Sequence, residues 1–436
     1  MTDRPPKPAS ATRSVNPVVA IGGVIGAIVL VGIVIFALMQ RDDGETAGGS
    51  PSPSAGASAI GSAAPSDSAA PSASATAEPS EPAGPPTIAW EAPAPFDGEP
   101  WELLVDGDTW LALGWATERG PGAWTSSDAI TWERAEVVDP MPDDLFRGSG
   151  LGPAVRLGDT LLSYGTFIGC CDGRGILAWR SADGSSWDVL ESDSPLFQTG
   201  YIVNELVVGD PALVAVEGRY SAFSGRIWRW TEDTSWVETT PGTAGTQDPS
   251  GVTTSDVIWA DGRFVVVGSR GDPATGGSIT GTSLMSTDGE TWQESAPTPE
   301  LADVDLLQVA PMPGGGFVAL GVSDAANFGR DGGTVAFTSP DGLAWTPAEM
   351  PSLGPATRPE EIIVVDGGLV AVGTEGGHTT IVWSSTDGHV WTDAGRLDYA
   401  PLAAAASDDT FVVIGVDQSV GGGGYFIHRG TLGAAD

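Results

Sequence analysis

The chain has few of the residues that cross-link small folds, bind polyanions or hold metal ions. Only 2 of its 436 residues are cysteines, and these are adjacent, which excludes a fold stapled by several disulfides. Its 19 basic residues face 57 acidic ones, and a formal net charge of -38 argues against nucleic-acid binding, because such a surface repels phosphate. With only 3 histidines, the sequence predicts no metal site and no cofactor.

One long apolar run, residues 18–40, stands apart from this polar composition. At about 1.5 Å per residue a helix of this length spans about 33 Å, close to the thickness of the bilayer hydrocarbon. Arg4 and Lys7 precede the run and Asp42 follows it. The positive-inside rule therefore predicts a single-pass anchor in the cell membrane, with residues 1–17 cytoplasmic and the remainder extracytoplasmic.

A cleaved signal peptide is the alternative interpretation of this run. Its apolar region would span only about 7–15 residues and would end near an A-x-A-like site, and neither feature is present. Gly22 and Gly26 form a G-x-x-x-G pair, which is compatible with a dimerising helix face or with the general abundance of small residues in such helices. Residues 41–86 are dominated by Ser, Ala, Pro and Gly, which predicts a disordered stalk that holds a domain away from the membrane.

From residue 87 to residue 436 the sequence repeats, and no stretch of it has a convincing helical period. A seven-residue motif with Ser at its start, Asp at its third position and Trp at its end recurs at intervals of roughly 46–56 residues. The copies are centred on Asp128, Asp183, Asp233, Asp288, Asp341 and Asp387, the third of them degraded. Val-rich runs joined by Asp-Gly turns precede each copy, which predicts four short antiparallel strands per repeat, as in a propeller blade.

The motif, as in Ser286-Thr-Asp288-Gly-Glu-Thr-Trp292, resembles the Asp-box of sialidases, sortilin-type receptors, some glycoside hydrolases and the photosystem II assembly-factor family. This resemblance implies an all-β, seven-bladed propeller in which the motif Asp residues form turns on the face opposite the ligand site. Six repeats end near Leu397, and the tail supplies three strands of another blade. We expect the strand around Trp90 to complete the seventh blade.

The loops on the face opposite the motif are long and variable, which favours a ligand site there. The candidate ligand-binding residues in and beside these loops are Glu217, Arg219, Tyr220, Arg226, Arg270, Asp324, Arg330, Glu375 and His378. Arginines that converge there would grip a carboxylate or sulfate, and the alternative is that the loops are merely solvated. Outside the cytoplasm, Cys170 and Cys171 are candidates for a disulfide between adjacent cysteines.

Two functions remain open from the sequence. The first is a non-catalytic binding or assembly module for a protein or glycan. The second is a glycoside hydrolase, sialidase-like but with a non-standard site: no Arg-Ile-Pro motif is present, Arg226-Ile-Trp228 is the nearest match, and Glu217 beside Tyr220 is the one cluster that could supply a nucleophile pair. Paired carboxylates that face each other across the ligand side would favour the hydrolase.

Overall fold

The structure is a computed structural model, and it describes most of the repeat region. The described residues are 84–116, 120–140, 148–168, 174–190, 202–210, 212–219, 222–231, 234–241, 252–271, 279–324, 332–351, 356–417 and 424–433. No helix among them is long and apolar enough to cross a bilayer. The predicted tail 1–17, the predicted membrane segment 18–40 and the predicted stalk as far as residue 83 lie outside the described residues.

The described strands form seven separate antiparallel sheets, which are the blades of an all-β propeller. The N-terminal strands are β1 (Thr87–Trp90) and β2 (Ala94–Phe96). Blade 1 contains β3 (Glu99–Asp106), β4 (Thr109–Trp115), β5 (Pro121–Ser126) and β6 (Glu133–Arg134). Blade 2 contains β8 (Gly148–Leu157), β9 (Thr160–Ile168), β10 (Arg174–Ser181) and β11 (Ser186–Leu190), and β7 (Glu136–Val137) joins its outer edge in parallel.

The next four blades have the same order of strands. Blade 3 contains β12 (Ile202–Val208), β13 (Leu213–Arg219), β14 (Ala222–Thr231) and β15 (Thr234–Glu238). Blade 4 contains β16 (Val252–Ala260), β17 (Arg263–Arg270), β18 (Thr280–Ser286) and β19 (Gln293–Glu294), and a short 3-10 turn, Pro299–Leu301, follows it. Blade 5 contains β20 (Val304–Pro311), β21 (Phe317–Ser323), β22 (Thr334–Ser339) and β23 (Thr346–Ala348). Blade 6 contains β24 (Thr357–Val365), β25 (Gly368–Glu375), β26 (Thr379–Ser385) and β27 (Thr392–Leu397).

Blade 7 is built from both ends of the repeat region. Its strands β28 (Ala400–Ser407), β29 (Thr410–Asp417) and β30 (Gly424–Gly433) come from the C-terminal side, and β1 pairs with β30 as the outermost strand. The register places Thr87 opposite Gly433 and Trp90 opposite Gly430. β2 also pairs with β30, with Ala94 opposite Ile427 and Phe96 opposite Tyr425. The two ends of the ring are therefore joined by two short strands, β1 and β2.

The blades pack face to face through seven apolar clusters, and each cluster combines residues of two adjacent blades. Between blades 4 and 5, for example, Val265 and Val267 pack with Leu306 and Phe317, and all four are fully buried. Because both faces of a blade are covered by neighbouring blades, most central strands have apolar side chains on both faces. Apolar and polar residues therefore do not alternate regularly along these strands, as they would in a sheet with one exposed face. The first strands of neighbouring blades contact one another around the ring and form the wall of a central channel.

Tight turns follow from the Asp-Gly pairs that the sequence places between the first two strands. In blade 4, Asp261 and Gly262 both have positive φ, 51° and 71°, and they link the paired residues Ala260 and Arg263. Two consecutive residues with positive φ define a type I′ hairpin turn, which Asp-Gly adopts at low cost.

Three of the described motif turns, at Asp128, Asp288 and Asp341, have the same set of contacts. In the fourth copy Asp288 Oδ1 accepts hydrogen bonds from the backbone N–H groups of Glu290 and Thr291, each at 2.8 Å. Ser286 Oγ donates to the same oxygen at 2.9 Å. Equivalent backbone bonds lower the pKa of Asp128 to about 2. The motif Asp residues therefore act as ionised acceptors within their own turns.

The motif tryptophans pack against the neighbouring blade. Trp345 Nε1 donates to Ser283 Oγ at 2.8 Å, and Trp292 Nε1 donates to Thr239 Oγ1 at 3.2 Å, in each case across to the preceding blade. Trp187 instead donates to the carbonyl oxygen of Gly184 in its own turn, at 2.9 Å. The motif tryptophans thus stabilise the contacts between adjacent blades at the end of the propeller where the motif turns lie.

Candidate functional site

All seven first strands carry a register shift at the equivalent position. Each shift falls between the residues of one of these pairs: Pro100 and Glu102, Leu151 and Ala154, Val203 and Glu205, Thr254 and Asp256, Leu306 and Gln308, Pro359 and Glu361, and Pro401 and Ala403. A bulge of this kind adds an unpaired residue and redirects the side chains beside it. The first paired position after the bulge lies about midway along the strand, and hence about midway along the channel wall.

This position holds an acid in four of the seven blades. The acids are Glu102, Glu205, Asp256 and Glu361, and we refer to them as the carboxylate ring. Gln308 occupies the equivalent position in blade 5, and Ala154 and Ala403 occupy it in blades 2 and 7. The ring residues are buried or half-buried, on first strands whose other residues are mostly apolar.

The ring acids perturb one another electrostatically across the channel. Burial raises the pKa of Glu205 to about 8, and the charge of Asp256 adds to this shift. Burial also raises the pKa of Glu102 well above its usual range, with further contributions from Glu205 and Glu361. The pKa of Glu361 is raised by burial and then by Glu205 and Asp256. Because like charges disfavour ionisation only at short range, these four carboxyl groups share one electrostatic site.

Two of the ring acids, Asp256 and Glu205, accept hydrogen bonds from backbone N–H groups. Asp256 bridges two blades, since its Oδ1 accepts from Val257 N–H at 2.6 Å and its Oδ2 accepts from Val309 N–H of blade 5 at 2.8 Å. These bonds limit the rise that burial imposes on the pKa of Asp256, which reaches about 6. Glu205 Oε1 accepts one bond, from Leu206 N–H at 3.0 Å.

A second group of charged residues lies before the ring position on the first strands of blades 5 and 6. Asp305 and Arg358 each lie three residues before the ring position of their strand. Arg358 Nε lies 3.7 Å from Glu360 Oε1, and this pair is next to Glu361 in blade 6. Burial raises the pKa of Glu360 to about 7 against the opposing effect of Arg358. Burial likewise raises the pKa of Asp305, whereas a hydrogen bond from Ser269 and the charge of Arg358 lower it. Arg358 therefore compensates part of the negative charge on this level of the channel.

Two of the arginines proposed from the sequence as ligand-binding residues are paired within their own blades. Arg270 donates from Nε and Nη2 to the two carboxylate oxygens of Glu294, each at 2.8 Å. Arg226 Nη1 lies 3.8 Å from Glu238 Oε2. These pairs join strands of a single blade. The convergence of these arginines on a shared anion stays a prediction.

Glu217 is fully buried, and its Oε2 accepts a hydrogen bond from Trp228 Nε1 at 2.8 Å. Its proposed partner Tyr220 lies outside the described residues, as do Arg330, Asp233, Cys170, Cys171 and the side chain of Arg219. The hydrolase hypothesis built on Glu217 and Tyr220 therefore stays a prediction.

The remaining candidates lie at the ends of blades 5 and 6. Glu375 Oε2 lies 3.4 Å from Arg396 Nε. His378 is exposed in the turn after β25, and Asp324 follows the end of β21 with a positive φ of 58°. Among the described residues there is no group of three or more His, Cys, Asp or Glu side chains spaced to hold a metal ion.

The sequence contains a signal for the ring besides the Asp motif. Aligned on the turn between the first two strands, the repeats show an acid four or five residues before that turn in blades 1, 3, 4 and 6. An acid at a fixed position of a Val-rich strand conflicts with burial between blades, and such a conflict marks a functional or strained position. The bulge redirects the side chain at the ring position toward the channel. No pattern of residues in the sequence predicts the bulge itself.

Comparison with protein-family models and with curated proteins finds no match to this chain. Among solved structures, the chain is similar to a Trypanosoma rangeli sialidase in complex with sialic acid, at 13% identity and a TM-score of 0.39, over 63% of this chain and 53% of that one. It is also similar to a Penicillium chrysogenum alpha-L-arabinanase, at 12% identity and a TM-score of 0.39, over 63% and 91% of the two chains. The WD40 propeller domain of Doa1 has 10% identity and a TM-score of 0.47, over 79% and 96%.

The match thus spans about half of the sialidase's length. At these identities and TM-scores the likeness concerns the fold alone and carries no argument about activity. Glycosidases and binding propellers are both among the similar structures, so the function has to be argued from this chain's own residues.

Proposed function

We propose that this chain is a membrane-anchored, extracytoplasmic propeller that binds a protein or a glycan without catalysis. The observation that carries the proposal is the carboxylate ring. Four acids from four blades share one electrostatic site on the channel wall, while Arg226 and Arg270 are occupied by carboxylates of their own blades. Such a channel suits ligands that present hydroxyl or cationic groups, and it disfavours the acidic sugars that a sialidase binds through free arginines.

A glycoside hydrolase is the second candidate, and one specific observation favours it. Glycosidases keep one carboxyl group protonated near neutral pH by burial and by a neighbouring acid. Glu205, with its pKa raised to about 8 beside Asp256, meets that electrostatic requirement.

A single experiment separates the two functions. The full chain and its Glu205→Gln/Glu361→Gln variant would be compared on a glycan array, on immobilised envelope proteins, and with aryl glycosides that include sialosides and arabinosides. We expect a retained ligand whose affinity falls at least tenfold in the variant, and no sugar release. A surface variant with the same two kinds of substitution, Glu133→Gln/Glu136→Gln, controls for the change from Glu to Gln away from the ring, since both residues are exposed. Release of sugar by the wild-type chain but not by the ring variant would replace binding with hydrolysis.

The anchor part of the proposal rests on the apolar run 18–40 and its flanking charges. Protease added to intact cells should cut between residues 41 and 83 and release a fragment that contains the propeller. The release should not require lysis, because the cut sites would face the outside. A fragment that appears only after lysis would contradict the proposed orientation.

A further inference from the structure

His428 lies between blades 6 and 7, beside one of the two strands that close the ring. It is buried, and it pairs with Val413, a member of the apolar cluster between these two blades. The hydroxyl of Tyr399 and Nδ1 of His428 form a hydrogen bond of 2.8 Å, and the two ring centroids are 5.3 Å apart. Trp90 of β1 packs against the same imidazole at a centroid distance of 5.9 Å. We call Trp90, Tyr399 and His428 the closure contact.

The closure contact suits a neutral imidazole. A neutral ring has one nitrogen that donates and one that accepts, whereas an imidazolium donates from both. Tyr399 would then have to accept from Nδ1, and its own hydroxyl hydrogen would need another acceptor between the blades. Burial accordingly lowers the pKa of His428. Cation–π attraction offsets only part of this cost, because the rings of Trp90 and Tyr399 are tilted to the imidazole by 46° and 37°.

Neighbouring charges among the described residues do not compensate a charged His428, since burial is the cause of its shift in pKa. Arg429 pairs with Val412 on the opposite face of the blade, and its Nη1 lies 2.7 Å from Glu91 Oε1. On the strand of blade 6 nearest to β1, Asp393 and Arg396 bind each other. The other ionisable residues of the surrounding elements are Glu375 on β25, which binds Arg396, Asp398 before β28, Asp408 and Asp409 in the turn before β29, and Asp417 and Tyr425 at the far end of the β29–β30 pair.

β1 can separate from β30 while the rest of blade 7 stays in place. It has only four residues, and the indole Nε1 of Trp90 has no hydrogen-bond acceptor in the described part of the chain. β2, by contrast, contributes to the cluster between blades 7 and 1, where Phe96 packs edge-on against Trp124 at 5.1 Å and against Trp132 at 5.7 Å. Separation of β1 would therefore expose His428 while β2 keeps the chain attached, which is a local opening and not unfolding of the domain.

We propose that protonation of His428 separates β1 from β30, so that the closure of the ring loosens between pH 7.5 and pH 5 while the other blades stay folded. In the separated form the imidazole is solvated and has its ordinary pKa of about 6.5. In the closed form burial lowers that pKa, so the separated form holds a proton that the closed form lacks. The ratio of closed to separated form therefore falls by up to about tenfold for each pH unit below about 6.5.

Backbone hydrogen exchange of the full chain at pH 5 and pH 7.5, corrected for intrinsic rates, tests this inference. Protection of residues 87–90 should fall at least about threefold at pH 5, while β17 and β18 of blade 4 keep theirs. The chain has 3 histidines, and His428→Gln and His389→Gln form a matched pair. The first should give equal protection of β1 at both pH values, and the second, at an exposed residue, should follow the wild type. Comparison of the two variants removes the contribution of the carboxylate ring, which titrates in the same range.

Equal pH dependence in the wild type and in His428→Gln would overturn the inference. Stronger protection of β1 at pH 5 would also overturn it, because cation–π attraction would then outweigh burial. A parallel loss of protection in blade 4 would do the same, since the event would be global unfolding. If His428→Gln does not fold, an NMR titration of the wild-type histidine rings decides: His428 should titrate below pH about 6.5, in step with the loss of protection in β1, and titration at or above that pH contradicts the inference.

Discussion

Acidification from pH 8 to pH 5 should raise the melting temperature of this protein, whereas most proteins lose stability over part of that range. The cause is the carboxylate ring, in which Glu205 has a folded-state pKa of about 8 against an ordinary value of 4.5. Between these two values the folded chain holds a proton that the unfolded chain does not, so stability increases as the pH falls. Asp256, with a pKa of about 6, extends the effect downward.

The size of the effect follows from the width of the window. Each pH unit over which one carboxyl group keeps an extra proton contributes about 1.4 kcal/mol. Mutual coupling means that the ring acids do not contribute independently, so we expect on the order of 3 kcal/mol, or about 5 °C, between pH 8 and pH 5. His428 acts in the opposite direction, because burial lowers its pKa and its protonation below pH about 6.5 favours the unfolded chain.

The motif aspartates do not interfere in this window. The pKa values of Asp183, Asp288 and Asp341 are lowered, and that of Asp128 is lowered to about 2. The stability that these four contribute is therefore lost only below about pH 4. Scanning calorimetry from pH 5 to pH 8 on the wild type and on Glu205→Gln measures the effect. The variant should melt higher than the wild type at pH 8 and should show a flatter dependence on pH, while Glu133→Gln should follow the wild type. A wild-type maximum near pH 8 with a steady fall toward pH 5 would contradict the account of the ring.

Deletion of residues 84–90 should lower the melting temperature by about 10 °C, because it removes the longer of the two N-terminal strands that close the ring. The deletion removes β1, whose four residues pair with the end of β30. It also removes Ile88 and Trp90 from the cluster between blades 6 and 7, where the Trp90 ring packs edge-on against Phe411 at a centroid distance of 5.9 Å. Loss of a large aromatic side chain and of the strand pairing together costs about 5 kcal/mol.

The matched control removes the same number of residues, 70–76, from the segment that precedes the propeller. That deletion should leave melting unchanged. Trp90→Ala should have an intermediate effect, since the β1 backbone can still pair with β30. An unchanged melting temperature after deletion of residues 84–90 would show that blade 7 is stable without its outer strand.

The architecture could be predicted because each repeat encodes it locally. Asp261 and Gly262 alone specify a hairpin turn. Asp288 accepts a hydrogen bond from the backbone N–H of Thr291, which is only three residues away. The blade count follows from the spacing of such signals. The partners of the predicted ligand-binding residues could not be predicted in the same way. Arg270 pairs with Glu294, which lies 24 residues further along the chain. Only the register of β17, β18 and β19 brings these two residues together.

The carboxylate ring could not be predicted from a single repeat for a different reason. Glu205 is followed by Leu206, Val207 and Val208. The sequence of this one repeat therefore predicts that Glu205 is a solvent-exposed residue at the start of a strand. It faces the channel because the register shifts by one residue after Val203, and a shift of one residue exchanges the two faces of a strand. Only the alignment of the repeats, four of which have an acid four or five residues before the turn, indicates that the position is shared.

A pH titration of the side-chain carboxyl carbons of glutamate, followed by NMR on the selectively labelled full chain, tests the central claim most directly. The account predicts at least one glutamate resonance that titrates above pH 6.5 and that is lost in Glu205→Gln. If every glutamate titrates below pH 5, the ring does not hold protons at neutral pH, and the account is contradicted.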